Sequence, residues 1–249
     1  MDLSGIAGLI IVIVFAGLMV FFVVWNRRFP PRGMRPIQAI HRLRRAIGLA
    51  VEDGSRLHIS LGSASLNTYQ SASALLGLSV LGRIAEASSI SDRPPVATSG
   101  DGALAVLSQD TLRSAYDKVN ALDLYDPTRG RVTGLTPFSY VAGALPVFSD
   151  EQISANALVG NFGPELALLL DTADKAGAFT LAASDSLTAQ GILFAAAEEP
   201  LIGEELFAIS AYLGAGAFHT ASLRVQDYAR WALIAGLVLG SILKLVGVL

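Results

Sequence analysis

The sequence predicts an α/β fold in which a largely parallel-sheet cytoplasmic domain is flanked by an N-terminal and a C-terminal transmembrane helix. Apolar runs of bilayer length stand at residues 3–25 and 231–249. Between them, strand and helix patterns alternate over roughly 175 residues, the arrangement expected of βα units. Charge separates the same parts. Residues 46–223 carry eight Lys or Arg against nineteen Asp or Glu, a formal charge of −11, whereas residues 26–45 carry seven arginines and no acid.

Composition narrows the chemistry. An apolar content of 52% with 16% charged residues in a chain of 249 exceeds that of an ordinary soluble enzyme and implies contact with lipid. The absence of cysteine excludes disulfides, thiolate metal ligands and a cysteine nucleophile. His41, His58 and His219 are too scattered to form a metal cluster by local spacing, and neither a metal nor another cofactor is expected.

The first run, LSGIAGLIIVIVFAGLMVFFVVW, has no charge over 23 residues and as a helix would span ~35 Å. It lacks the basic start, short apolar core and small-residue cleavage site of a signal peptide, so a retained anchor is expected. The second, WALIAGLVLGSILKLVGVL, carries only Lys244, near enough to its end to snorkel. Arg27, Arg28, Arg32, Arg35, Arg42, Arg44 and Arg45 follow the first run and only Asp2 precedes it, while Arg224 and Arg230 precede the second. The positive-inside rule then places both termini outside and the intervening chain in the cytoplasm, with Trp25 and Trp231 at one interface. The expected division is residues 1–25 as a transmembrane helix, 26–47 as a basic juxtamembrane segment, 48–223 as the acidic α/β domain and 224–249 as a turn and second transmembrane helix. Within the basic segment, Ile37, Ile40, Leu43 and Ile47 recur at helical spacing with arginines opposite, the pattern of an amphipathic helix on the inner membrane surface.

In the acidic domain, RLHISLGS (56–63) and PPVATSG (94–100) read as strands, with a helix through NTYQSASALLGLSVLGRIAEA between them. SQDTLRSAYDKVNAL reads as a helix capped at Ser108 or Asp110, GRVTGLTPFSYVAGALPVF as extended pieces, and NALVGNFGPELALLLDTADKAG as strand, glycine loop and helix. AFTLAASDSLTAQGILFAAAEE repeats that plan.

Three strand ends place small or polar residues where a strand hands over to a helix: Ser99, Gly100, Asp101 and Gly102; Asn161 and Gly163; Ser184 and Asp185. In an open parallel sheet such ends converge on one edge, where helix N-termini offer free N–H groups to small anionic ligands. Turn and cap chemistry alone also accounts for these residues, and the Walker loop, the dinucleotide fingerprint and the nucleophile elbow are missing. His58, His219, Ser60, Ser99 and Ser184 lack a recognisable partner for acid–base or nucleophilic work.

The acidic stretch AEEPLIGEELF has two readings. Pro200 stops a helix at Glu199, and Glu204 and Glu205 begin the next, where negative charge suits the helix dipole. Glu198 and Glu199 gain nothing from a dipole, so salt bridges to a neighbouring subunit are the alternative, with a carboxylate cation site behind it.

SDRPPVATSGDGALAVLSQDTLRSAY and VGNFGPELALLLDTADKAGAFTLAASDSLTAQGILFAAAEEPLIGEELF together resemble an uncharacterised bacterial membrane-protein family known as a domain of unknown function. The resemblance implies a bacterial membrane protein with terminal anchors and brings no activity, cofactor or catalytic residue; the expected location is the bacterial inner (cell) membrane. Two functions remain open. One is a self-associating membrane scaffold, homo-oligomeric or joined to other membrane proteins, with Ala232, Gly236 and Gly240 as a close-packing stripe. The other is a membrane-tethered enzyme or sensor taking a phosphorylated or nucleotide ligand at the strand ends. The bilayer is a partner in both, and the acidic domain argues against nucleic acid.

Overall fold

A computed structural model describes residues 3–28, 35–68 and 71–247 of the chain, for Leu3, Ser4 and Arg27 the backbone alone. Asp2, Arg32, Tyr69, Gln70 and the last two residues of the second expected span lie outside the described residues. The chain divides into two units, Met1–Arg35 with Gly216–Leu249, and Pro36–Ala215.

The first unit is a helical pair, α1 (Leu3–Arg28) and α9 (Ala217–Leu245). Both are long and apolar enough to cross a membrane. Phe22 and Val23 of α1 pack with Ala221 and Val225 of α9. Phe22 stacks on Tyr228 at 5.1 Å, and Arg224 donates to Asn26 Oδ1 at 2.5 Å. Because residue 26 meets 224 while 22 meets 228, the helices run antiparallel. Trp231 is then offset from Trp25 by about 9 Å along the pair, so the two tryptophans are not level as expected. The helix also starts well before Trp231, absorbing His219 and the stretch expected to be a turn.

The second unit is a doubly wound sheet. It contains α2 (Gln38–Glu52), β1 (Arg56–Gly62), α3 (Ser71–Ser88), β2 (Val96–Ser99), α4 (Gly102–Lys118), β3 (Gly130–Val132), α5 (Pro137–Asp150), β4 (Ile153–Asn161), α6 (Leu166–Lys175), β5 (Phe179–Ser184), α7 (Leu187–Ala196), β6 (Glu199–Leu201) and α8 (Glu205–Tyr212). All five strand pairs are parallel, in the order β3-β2-β1-β4-β5-β6. Parallel strands buried on both faces read as near-continuous apolar runs, and β4 is buried at every position but one.

Alternation within each strand divides the core. Leu57, Ile59 and Leu61 of β1, with Ala155, Ala157 and Val159 of β4, face a cluster built with α2, α3, α4 and α8. Leu158 and Ala182 face the other way, toward Tyr140, Phe148, Leu166, Leu169 and Leu193 from α5, α6 and α7.

Four local expectations are corrected by competing physics. The amphipathic helix α2 does form, but Ile40, Leu43 and Ile47 are 3%, 1% and 6% exposed against the sheet. Its apolar face is therefore occupied by protein and does not lie on a membrane. It packs over β4 and β5, beside α3 and α8 on the same face of the sheet. Helix α4 starts at Gly102, not near Ser108, because the Asp101 side chain caps it by accepting from Leu104 N at 2.9 Å. In the third case only Gly130–Val132 is extended in a stretch expected to be strands. A Thr136–Ser139 capping box with Pro137 in the first turn starts α5, and Tyr140, Val141, Ala144, Val147 and Phe148 form its buried face. Finally, Glu199 is in a strand, not at a helix end: α7 stops at Ala196 and Glu199–Leu201 adds the edge strand β6. Pro200 is compatible with an edge, where one N–H can be spared.

Candidate functional site

The strand order turns at β1 and β4: the chain winds outward from β1 to β3, then crosses back to β4 and winds the other way. At such a switch point the loops leaving two neighbouring strands diverge, and the space beyond the strand C-termini becomes a crevice. Here β1 ends at Gly62 and β4 at Asn161, which are register partners after an irregularity in the pairing.

Glycines bring the backbones together at this point. Gly62 has φ +74°, and a Cβ on it would lie 2.2 Å from the Asn161 carbonyl oxygen. A Cβ on Gly160 would lie 2.1 Å from Leu61 O, and one on Gly100 would lie 2.9 Å from Ser63 Cα. Hydrogen bonds knit the same atoms: Gly100 N donates to Gly62 O at 2.9 Å and Ser63 N to Asn161 O at 3.0 Å.

All eight residues expected at a ligand site reach this edge. Asn161 Nδ2 donates to Asp185 Oδ1 at 2.6 Å, joining the ends of β4 and β5. Ser184 Oγ accepts from Phe162 N at 3.2 Å and Ser186 N at 3.3 Å, and Gly163 N donates to Glu165 Oε1 at 2.7 Å. Ser99 Oγ donates to Asp101 O at 3.1 Å, while the Asp101 side chain caps α4. Gly102, the first residue of α4, has open space where a Cβ would stand. The side chains of Ser99, Asp101 and Ser184 thus serve the loops' own backbone, and Asn161 with Asp185 forms the side-chain pair that links two strands across the edge.

Residues 63–68, in the loop after β1, carry the groups that sequence reasoning missed. Ser63 and Ser65 are half-buried, and their hydroxyls make no hydrogen bond among the described residues. The legible signal was a glycine ending a strand before a long hydroxyl-rich run. Among the described residues of the six strand-to-helix loops there is no Lys, Arg or His, whereas Asp101, Glu165, Asp185 and Glu204 are acidic. Any phosphate held there would rely on backbone N–H groups. The carboxylates suit hydroxyl donors. Among the described residues no three His, Asp or Glu side chains group closely enough to hold a metal ion.

A buried polar chain lies under the crevice on the α5 side. His58 Nδ1 donates to Asn156 Oδ1 at 2.9 Å, so Nε2 accepts from Thr98 Oγ1, also at 2.9 Å. Thr98 Oγ1 and Tyr140 OH are 3.3 Å apart, and Tyr140 OH bonds Ser60 Oγ. Burial lowers the His58 pKa to about 4 and raises that of Tyr140. At neutral pH both are uncharged, which makes His58 an internal hydrogen-bonding group.

The residues expected at an interface separate. Glu198 Oε2 accepts from Thr180 N at 3.3 Å, and Glu199 forms an ion pair with Arg42 of α2 inside the same unit. Gly236 and Gly240 stand on α9 with nothing within 4 Å of where a Cβ would be.

Comparison with curated proteins and comparison with solved structures each yield no match. What the chain does match, over residues 1–249 and so through both units, is the family model described as a domain of unknown function (DUF6754), and the protein belongs to that family.

Proposed function

We propose that this is a membrane-anchored sensor whose cytoplasmic α/β unit takes a small ligand of the nucleotide class in the crevice between the ends of β1 and β4. The observation that carries the reading is the reversal of strand order at that point, combined with the glycine-mediated approach of Gly62, Gly100 and Gly160 to neighbouring backbone. Ser63, Ser65 and the Asn161–Asp185 pair supply partners for ligand hydroxyls. The stretch GSASLN, which ends β1 and opens the following loop, has a glycine only at its first position, so the reading is a mononucleotide-sized ligand, since a dinucleotide pyrophosphate needs the close backbone approach that a second glycine allows. Anchoring in a bacterial inner membrane by α1 and α9, with both termini outside, rests on bilayer length and on the arginines that follow α1.

The test is calorimetric titration of the detergent-solubilised full chain with nucleoside mono- and triphosphates. Wild type is expected to bind at least one of them, and Ser65→Trp, which fills a half-exposed loop position, is expected to lose that binding while keeping its thermal midpoint. Equal affinity in both proteins would contradict the site.

A second reading has its own support. In the stripe of Ala232, Gly236 and Gly240, the two glycines have open space where a Cβ would stand, and they suit close approach of a helix from another copy. Under this reading the protein self-associates as a scaffold, and the mass of the solubilised assembly falls to that of a single chain in Gly236→Leu/Gly240→Leu. An unchanged mass would remove it.

A further inference from the structure

Away from the crevice, beside the starts of β1, β3 and β4, three guanidinium groups converge on one carboxylate. Arg56, the first residue of β1, pairs with Glu151 just beyond α5. Arg129 Nη1 reaches the same carboxylate at 3.0 Å and Arg131 Nη2 at 2.8 Å. Arg93 adds a fourth positive charge nearby, its Nη1 donating to Gln152 Oε1 at 2.9 Å. The facing acids are Glu151, Asp126, which stands 3.0 Å from Arg129 Nε, and Asp150. Four guanidinium groups therefore meet three carboxylates.

The excess is visible atom by atom. The Nε groups of Arg56, Arg129 and Arg131 are all buried without a hydrogen-bond partner, the Arg129–Asp126 approach being an ion pair without hydrogen-bond geometry. Buried N–H groups left unpaired are rare in native proteins and call for a missing acceptor. Burial and the neighbouring Arg129 also hold both Arg56 and Arg131 below the usual arginine pKa. A cavity of about 350 Å³ adjoins the cluster, lined by Arg131, Thr133, Gly143, Pro146, Asp150 and Glu151.

The geometry points to a second binding site here, for a tetrahedral oxyanion of the phosphate class, entered through this cavity and held by Arg131 and Arg129. Glu151 acts as the resident anion that a ligand displaces or joins. The planar fork of arginine matches such an anion with two parallel N–H bonds. The site is independent of the β1–β4 crevice, whose loops hold no basic residue among those described.

The full chain in detergent is titrated with sodium phosphate by calorimetry at constant ionic strength, with sodium chloride as the blank. Saturable binding of one phosphate per chain is expected, weakened about tenfold or more by Arg131→Gln and strengthened by Glu151→Gln, which removes the competing carboxylate. If Arg131→Gln does not fold, Arg131→Lys keeps the charge without the fork and is expected to bind several-fold more weakly. A short-chain phosphatidic acid titrated in parallel identifies the source: tighter binding than phosphate assigns a lipid headgroup, weaker or equal binding a free oxyanion. No saturable phosphate binding by wild type, unchanged affinity in the folded Arg131 variant, or weaker binding in Glu151→Gln would overturn the site.

Discussion

Gly62 and Asn161 meet where β1 and β4 end, so closely that a single methyl group on the glycine would stand 2.2 Å from the asparagine carbonyl oxygen. Steric closeness and the φ of +74° act together there, so Gly62→Ala is expected to destabilise the protein by about 2–4 kcal/mol. Gly54 is a control: it has φ +62° but nothing within 4 Å, and Gly54→Ala should lose only about 1 kcal/mol. Denaturant unfolding of both variants reads the difference, and equal losses would mean that the close approach is unimportant.

Leu43 distinguishes a helix packed on the sheet from one resting on lipid. It is 1% exposed within the core cluster, so Leu43→Ala should lower unfolding stability by about 2–5 kcal/mol. A helix on the membrane surface would leave the melt of the α/β unit unmoved.

The Arg42–Glu199 ion pair joins α2 to the edge strand within one unit. Arg42 is 60% exposed at its side chain, so solvent screening limits the pair to about 1 kcal/mol or less. Glu199→Lys is expected to lower the thermal midpoint slightly, and the swap Arg42→Glu/Glu199→Lys to recover it. If the swap fails while native mass falls, Glu199 belongs to a contact between copies instead.

His58 sets a pH dependence. Its pKa is about 4 against an ordinary 6.5, with burial the main cause and the bond to Asn156 opposing it. The unfolded chain therefore binds this proton more readily than the folded one. The contribution of His58 is complete above the unfolded value and is lost as pH falls from 6.5 toward 4, by up to about 3 kcal/mol. Denaturant unfolding between pH 8 and pH 4 should give a shallower acid slope for His58→Gln than for wild type; identical slopes would show that another group carries the titration.

The architecture was legible wherever local and global preferences agreed. The strands at 56–62, 96–99, 153–161 and 179–184 announce themselves as apolar runs closed by Gly, Ser or Asn. The eight residues singled out at their ends reach one edge because parallel strands point the same way. What stayed hidden was tertiary in origin. Both a sheet face and a lipid surface would take the apolar stripe of α2, and only the packing over β4 and β5 decides. Helix α5 was masked by Pro137, Pro146 and aromatic residues that read as extended pieces, although its Thr136–Ser139 cap was in the sequence. β6 has three residues, too few for any periodicity. The Arg56–Arg129–Arg131 cluster assembles residues from separate elements around Glu151, and no spacing along the chain records it.

The most direct test of the β1–β4 crevice is hydrogen exchange by mass spectrometry on the full chain, with and without a saturating nucleotide that binds. Backbone N–H groups at the strand ends are the expected ligand contacts. Slowed exchange should therefore concentrate in residues 62–68, 100–104 and 161–166, with the starts of α1 and α9 unchanged. Saturation that leaves those three segments unprotected, or protects the 129–133 and 150–152 segments in their place, would contradict a ligand site at the switch point.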